Sequence, residues 1–337
     1  MHKLKIFGIF VFVALLVACQ QKNHIGRYIA DDDTSFPADI ISASKKINAN
    51  PSNPELHYLR GNAFYFLDRF NDAEIDFTTA IKLDSNNALY NYKLGDCILK
   101  MDTSNSLRAT GHLERAILLK PNYLEAMNTL ATLYVARQEY DKAEELLKTL
   151  TESPDFSDKA WIMKGIISKE KGDTATAIVI MQRASQVNPS NTDAVGQIAS
   201  MYLMQNNPLA KDYYKKILAI DPYNYDAYYH LGLIAQREGK ITDAEKMYSQ
   251  VKSIKRDYVF AWYNLAVIYM QQGRLDQAME QAEQAVIYNP NYSDAWALQG
   301  FIYEKKGELG KASMLYKKAL GIDPNHIKAK EGLANIE

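Results

Sequence analysis

The stretch AWYNLAVIYMQQGRLDQAMEQAEQAVIYNP, from Ala261 to Pro290, contains the pattern that decides the fold of this 337-residue chain. An amphipathic segment runs up to Gly273, and a second amphipathic segment follows it and stops at Pro290. Glycine tolerates the left-handed conformation of a tight turn, and proline cannot continue a helix. The stretch therefore predicts two short α-helices joined by a turn.

The same pattern occurs eight times between Pro54 and His326, at intervals of 33 to 36 residues. Each first helix holds a small residue at a matching place, namely Gly61, Gly95, Ala131, Gly165, Ala199, Gly232, Ala266 and Gly300. Most second helices hold a matching alanine, such as Ala244 or Ala312, and four positions after these two alanines stand the bulky residues Tyr248 and Tyr316. Helix backbones approach closely only where small residues face large ones, so the spacing predicts tightly packed helix pairs.

These residues resemble the tetratricopeptide-repeat family, whose aromatic, Leu, Gly/Ala, Tyr, Ala and Pro positions are met almost completely from Trp262 to Pro290. The resemblance implies an all-α fold, a right-handed α-α superhelix of about eight helix-turn-helix repeats with terminal capping helices. The expected repeats are 54–87, 88–123, 124–157, 158–191, 192–224, 225–258, 259–292 and 293–326.

Both ends of the repeat array predict extra helices, because a terminal repeat otherwise exposes its packing face. Residues 37–53 are expected to form an N-terminal capping helix. Residues 327–337 are expected to begin a ninth first helix, with Ala334 placed 34 residues after Gly300, and to act as a solvating cap.

The N-terminus predicts a membrane anchor. Lys3 and Lys5 precede an apolar run that is too short to span a bilayer comfortably but is typical of a signal peptide. The sequence Leu-Val-Ala-Cys ending at Cys19 resembles the bacterial lipobox, which implies a signal peptide at 1–18, lipidation of Cys19 and a flexible tether at 19–36. Acyl chains would then hold the protein on a membrane. A secretory signal with an incidental cysteine and an uncleaved anchor are the alternatives.

The residues after Cys19 bear on location. In the Bacteroidota, acidic residues close behind the lipidated cysteine mark surface export, and Gln20, Gln21, Lys22 and Asn23 stand there instead. We therefore expect an outer-membrane anchor that faces the periplasm.

Composition and motifs argue against several function classes. The 39 basic and 40 acidic residues give a formal net charge of −1, so nothing predicts a nucleic-acid partner. The six histidines show no His-Glu-x-x-His spacing, and neither a Cys/His cluster nor a glycine-rich phosphate loop occurs. Cys97 is expected to be a packed, inert thiol. We therefore predict a non-enzymatic protein without cofactor or metal.

The family resemblance implies that five places of each repeat face a concave groove. There the chain holds Tyr58, Asn62, Tyr65, Phe66, Tyr92, Asp96, Asn128, Asp226, Tyr229, Leu233, Tyr263, Val267, Met270 and Phe301, with Phe260, Asp294 and Glu304 at further such places. Aromatic side chains with a few polar groups suit the capture of protein segments. At any single position, packing against the next repeat is the alternative.

The predicted function is a lipid-anchored scaffold that binds protein segments in this groove, in envelope assembly, secretion or control of cell-wall enzymes. The partner and the oligomeric state are left open by the sequence. One alternative is an assembly factor that uses its convex face or its ends. A second is a carbohydrate-binding or carbohydrate-processing accessory protein whose exposed tyrosines stack on sugars.

Overall fold

The computed structural model describes residues 36–101 and 106–336, and each element within those ranges is an α-helix. The chain divides after Gly172 into an N-terminal and a C-terminal unit. The N-terminal unit contains α1 (Ala38–Ala49), α2 (Pro54–Phe66), α3 (Phe70–Leu83), α4 (Ala88–Met101), α5 (Ser106–Leu119), α6 (Leu124–Ala136), α7 (Tyr140–Leu150) and α8 (Ser157–Glu170). The C-terminal unit contains α9 (Thr174–Val187), α10 (Thr192–Met204), α11 (Leu209–Ile220), α12 (Tyr225–Arg237), α13 (Ile241–Ile254), α14 (Val259–Gln271), α15 (Leu275–Tyr288), α16 (Ser293–Lys305), α17 (Leu309–Ile322) and α18 (Ile327–Ile336).

Within each unit the first helix of a repeat packs on the second helix that follows it, as in α2 with α3 and α16 with α17. Each second helix then packs on the first helix of the next repeat, as in α3 with α4 and α15 with α16. First helices of adjacent repeats also contact each other, as α14 does with α16 and α16 with α18. The predicted all-α fold of stacked helix pairs is confirmed.

Small residues lie where the helices of a pair approach most closely. A Cβ at Gly61 would come 3.0 Å from the Phe77 ring, and one at Gly232 would come 2.6 Å from the Tyr248 ring. The matching alanines of the second helices, among them Ala278, are fully buried. The predicted packing of small residues against large ones is confirmed.

The turns between paired helices use the left-handed conformation. Gly172, Gly239, Gly273 and Gly307 have φ of 84°, 72°, 73° and 78°. In three other repeats the same turn holds a residue other than glycine, with φ of 56° at Asp68, 62° at Gln138 and 54° at Asn206. The sequence pattern predicted the glycine turns but did not identify these three, which adopt the conformation at an energetic cost.

The N-terminal helix packs on the first repeat and covers a buried ion pair. Arg60 Nε donates to Asp76 Oδ2 at 2.8 Å and Arg60 Nη2 donates to Asp76 Oδ1 at 2.7 Å. Arg60 Nη1 also donates to Ser44 Oγ on α1 at 3.2 Å. Arg60 and Asp76 are 1% and 0% exposed, so the polar groups of this interface lie in the core.

The C-terminal helix corrects one detail of the sequence interpretation. Gly332, not Ala334, lies in the packed interface of α18, where a Cβ would come 2.2 Å from Tyr316 Cζ. Ala334 is exposed. In the other first helices, the small residue at the matching position packs against the second helix of the same repeat. In the described part of the chain, α18 has no such second helix.

The predicted signal peptide at 1–18, Cys19 and nearly all of the predicted tether at 19–36 lie outside the described residues. The tether's last residue, Phe36, packs edge-on against Phe64 with ring centroids 6.0 Å apart. Among the residues that the structure describes, no helix has the length and apolar character that crossing a membrane requires.

Candidate protein-binding surface on the first helices

In the N-terminal unit, predicted groove residues link the first helices of the first two repeats. Tyr65 on α2 donates its hydroxyl hydrogen to Asp96 Oδ2 on α4 at 2.7 Å. Burial raises the pKa of Tyr65, and the hydrogen bond and charge of Asp96 raise it further, so the phenol remains a donor. The two predicted residues therefore form a fixed polar contact across the repeat boundary.

Phe66 and Tyr92 lie beside this contact. Phe66 is 72% exposed, and its ring meets that of Tyr65 at 5.8 Å. The Lys93 ammonium is 5.3 Å from the Tyr65 ring centroid and 6.0 Å from those of Phe66 and Tyr92. This edge of the unit therefore presents an exposed aromatic ring next to a cation, a combination suited to contact with another molecule.

Other predicted residues of this unit take part in internal packing. The Tyr58 ring stacks on Tyr90 at 5.3 Å and lies 6.0 Å from Phe77. Asn62 and Asn128 are half-buried, and within the described residues the buried Oδ1 of each has no hydrogen-bond partner. Tyr58 therefore packs inside the protein, as the alternative for single positions stated. The Oδ1 atoms of the two asparagines could still accept hydrogen bonds.

In the C-terminal unit, aromatic rings form a continuous chain across the sixth and seventh repeats. Tyr229 contacts Tyr258 at 5.1 Å, Tyr258 contacts Phe260 at 5.5 Å, and Phe260 contacts Tyr292 at 5.6 Å. Tyr292 in turn lies 5.4 Å from Tyr263. Burial raises the pKa of Tyr229, Tyr258, Tyr263 and Tyr292. These phenols are therefore neutral amphipathic groups at physiological pH.

The sequence interpretation did not include Tyr258 and Tyr292 in this surface. Each is the residue that precedes a first helix, α14 or α16. Their separation of 34 residues, equal to one repeat, is the signal that could have identified them.

Asp226 and Leu233 lie at one end of the aromatic chain. Asp226 Oδ2 is 3.6 Å from His230 Nε2, and its side chain is 56% exposed. The His230 ring stacks on Tyr214 at 4.9 Å, and burial lowers the pKa of this histidine. Leu233 is half-buried and packs on the core that contains Tyr248. Asp226 is therefore accessible, whereas Leu233 contributes mainly to packing.

The remaining predicted residues line one cavity of about 450 Å³ in the C-terminal unit. Tyr263, Val267 and Met270 come from α14, and Phe301 comes from α16. Asp294 and Glu304, at further predicted places, line the same cavity. The structure thus brings together the predicted residues of the last two repeats around a single concave site, a common form of ligand pocket.

The described residues were also compared with the requirements of a metal site and of a reactive thiol. No group of three or more His, Cys, Asp or Glu side chains there could hold a metal ion. Cys97 is fully buried, and desolvation raises the pKa of its thiol to about 12, so it is the packed, unreactive thiol that the sequence predicts.

Sequence profiles that describe the tetratricopeptide repeat match most of the repeat region. The matched ranges are 54–87, 107–164, 158–191, 213–246, 235–300 and 293–326.

Two curated proteins illustrate the similarity at the sequence level. The chain is 25% identical over 134 residues to Protein NPGR1 of Arabidopsis thaliana, covering 39% of this chain and 19% of that protein. It is 21% identical over 254 residues to Superkiller complex protein 3 of Mus musculus, covering 63% of this chain and 16% of that protein. The matched region thus spans less than one fifth of either relative.

A solved structure shows the same fold. The C-terminal part of a TPR repeat-containing protein from Cytophaga hutchinsonii superposes with a TM-score of 0.57 at 21% sequence identity. The match covers 72% of this chain and 99% of that one.

Proposed function

Because the chain belongs to the tetratricopeptide-repeat family, we propose that it is a non-enzymatic scaffold that binds segments of other proteins on its first helices. Repeats of this family typically mediate protein–protein interactions. In each unit, the surface proposed for this binding consists of the first-helix side chains described above.

The main support for this proposal is that the chain of aromatic rings in the C-terminal unit continues into the cavity. Tyr263 belongs to both, since it contacts Tyr292 at 5.4 Å and also lines the cavity. Phe260, at 44% exposure, extends the accessible aromatic surface away from the cavity. Rigid aromatic side chains around a concave site provide large contact areas at small entropic cost, which favours capture of a protein segment.

The proposed function includes a lipid anchor at Cys19 on the periplasmic side of the outer membrane. The lipobox resemblance supports it, since Leu16, Val17 and Ala18 precede the cysteine. Cys19→Ala should abolish incorporation of labelled palmitate and, because lipidation precedes cleavage at a lipobox, should leave the signal peptide attached. Palmitate labelling of this variant at the level of the parent would contradict the anchor.

Capture of partners after cross-linking in intact cells tests the binding surface. The variant Tyr229→Ala, Tyr263→Ala and Phe301→Ala should lose the partners that the parent protein captures, while circular dichroism and thermal unfolding show a folded chain. The matched control replaces Ile287 and Met314 with alanine. These two residues are each 64% exposed and lie on the second helices α15 and α17.

The control also tests the alternative in which the second helices bind the partner. The variant Ile287→Ala and Met314→Ala could lose the partners while the first-helix variant still captures all of them. That result would show that the second helices bind the partner. Equal capture by all three proteins would remove both surfaces from consideration.

A further inference from the structure

The C-terminal cavity has walls from three consecutive first helices. Tyr263 and Val267 lie on α14, Phe301 lies on α16, and Lys328 and Glu331 lie on α18. The helix α18 therefore does more than cover the last repeat, since it contributes polar side chains to the site. The cavity volume of about 450 Å³ is sufficient for a few side chains of a bound segment.

One part of the cavity wall is apolar. Leu298 is 7% exposed, while Val267, Met270 and Phe301 are half-buried and face the cavity together with it. Methionine adapts its shape to different partners, and the phenylalanine provides a rigid ring. This wall can accommodate an aliphatic or aromatic side chain.

The charged part of the wall is predominantly acidic. Asp294, Glu304 and Glu331 supply three carboxylates, and Lys328 is the one lysine or arginine that lines the cavity in the described chain. An anionic segment would therefore meet like charges, and a cationic segment would meet complementary ones.

Neighbouring side chains orient two of these carboxylates, Asp294 and Glu304. Ala329 N donates to His326 Nδ1 at 3.1 Å, which places the proton of the neutral ring on Nε2, 3.2 Å from Asp294 Oδ1. Glu304 Oε2 accepts a hydrogen bond from the hydroxyl of Tyr316 at 2.6 Å. Both donors are neutral groups that orient a carboxylate without cancelling its charge.

We infer that this cavity binds a protein segment in which a lysine or arginine lies next to an apolar or aromatic side chain. The apolar side chain packs against Val267, Met270 and Phe301, and the cation lies among the carboxylates of Asp294, Glu304 and Glu331. This inference rests on the proposed function and specifies the class of partner for that surface.

Fluorescence anisotropy with three labelled decapeptides and the chain from Cys19 to Glu337, carrying Cys19→Ala, tests the inference. The first peptide alternates lysine with leucine and phenylalanine, the second has glutamate in place of each lysine, and the third has serine in place of each apolar residue. We expect the first peptide to bind at least about tenfold more tightly than either of the others, because only it satisfies both walls.

Charge variants locate the binding in the cavity. Glu331→Lys should weaken binding of the first peptide by about tenfold and Glu331→Gln by about threefold, with a smaller dependence on salt than the parent shows. Glu331 is exposed, so these changes preserve the core. The matched control, Glu283→Lys, alters an exposed carboxylate on α15 outside the cavity and should leave the affinity unchanged.

Other outcomes would overturn the inference. Equal binding of the acidic peptide, or unchanged affinity of both Glu331 variants, would exclude a cation site here. If capture of cellular partners still requires Tyr263 and Phe301, the proposed function survives that result. Concentration-dependent self-association in sedimentation that Glu331→Lys abolishes would assign the cavity to a second copy of the chain instead.

Discussion

Gly332 lies directly against the ring of Tyr316, so closely that a Cβ on the glycine would come 2.2 Å from Cζ. The opposite edge of the Tyr316 ring packs against Gly300, where a Cβ would come 2.8 Å from Cδ1. Tyr316 is 1% exposed and therefore packs two first helices, α16 and α18, around one side chain. This packing holds the last wall of the candidate site in place.

Gly332→Ala should destabilise the C-terminal unit. The methyl group has no space against the buried ring, and overpacking typically costs about 1–3 kcal/mol, more than the roughly 1 kcal/mol that alanine gains over glycine in a helix. Thermal and denaturant unfolding measure the change. Gly321→Ala is the control, because nothing lies within 4 Å of a Cβ there and the same helix gain should be visible. A Gly332→Ala chain as stable as the parent would contradict the packing.

Gln138→Gly should stabilise the turn between α6 and α7. Gln138 has φ of 62°, and the left-handed conformation costs a residue with a Cβ about 1–2 kcal/mol. Glycine loses more chain entropy on folding, so the expected net gain in the free energy of unfolding is about 0.5–1 kcal/mol. The reciprocal change Gly307→Gln, at a φ of 78°, should lose a similar amount. A Gln138→Gly chain less stable than the parent, or a Gly307→Gln chain no less stable than the parent, would contradict the turn assignment.

Asp76→Ala should be strongly destabilising because it leaves the Arg60 guanidinium buried without its carboxylate. Removing one partner of a buried pair typically costs about 3–5 kcal/mol. The double variant Arg60→Met and Asp76→Leu removes both charges and should be considerably more stable than Asp76→Ala in denaturant unfolding. A double variant no more stable than the single one would show that the pair's charges are not the cause.

His230→Gln should reduce the loss of stability on acidification. Burial lowers the pKa of folded His230 below its ordinary value of 6.5, so the unfolded chain binds the proton more readily. This residue's contribution to stability is therefore fully present above pH 6.5 and falls as the pH drops through that value. The melting temperature between about pH 7.5 and pH 5.5 should fall less in the variant than in the parent. An identical fall would contradict the role of His230.

The fold was largely predictable because its packing rule repeats along the sequence. A close helix contact requires a small residue at one place, and eight occurrences at near-constant spacing identify it. Features that occur once carried no such signal. Arg60 and Asp76 are 16 residues apart and look like surface charges in the sequence, yet they pair in the core. Gly332 was likewise missed, because the periodicity pointed to Ala334.

The candidate site was predictable in part. Periodicity placed Tyr263, Val267, Met270 and Phe301 on first helices, and the structure gathers them around one cavity. The same periodicity could not separate side chains that face a groove from those that pack on a neighbour, such as Tyr58. It also gave no information on Lys328 and Glu331, since their role depends on how α18 packs against Tyr316.

Site-specific photo-crosslinking in intact cells tests most directly the claim that the first helices bind the partner. A benzoylphenylalanine introduced at Tyr263 should form adducts with a partner protein, whereas the same group at Met314, on the second helix α17, should form none. Adducts from position 314 together with none from position 263 would contradict the account.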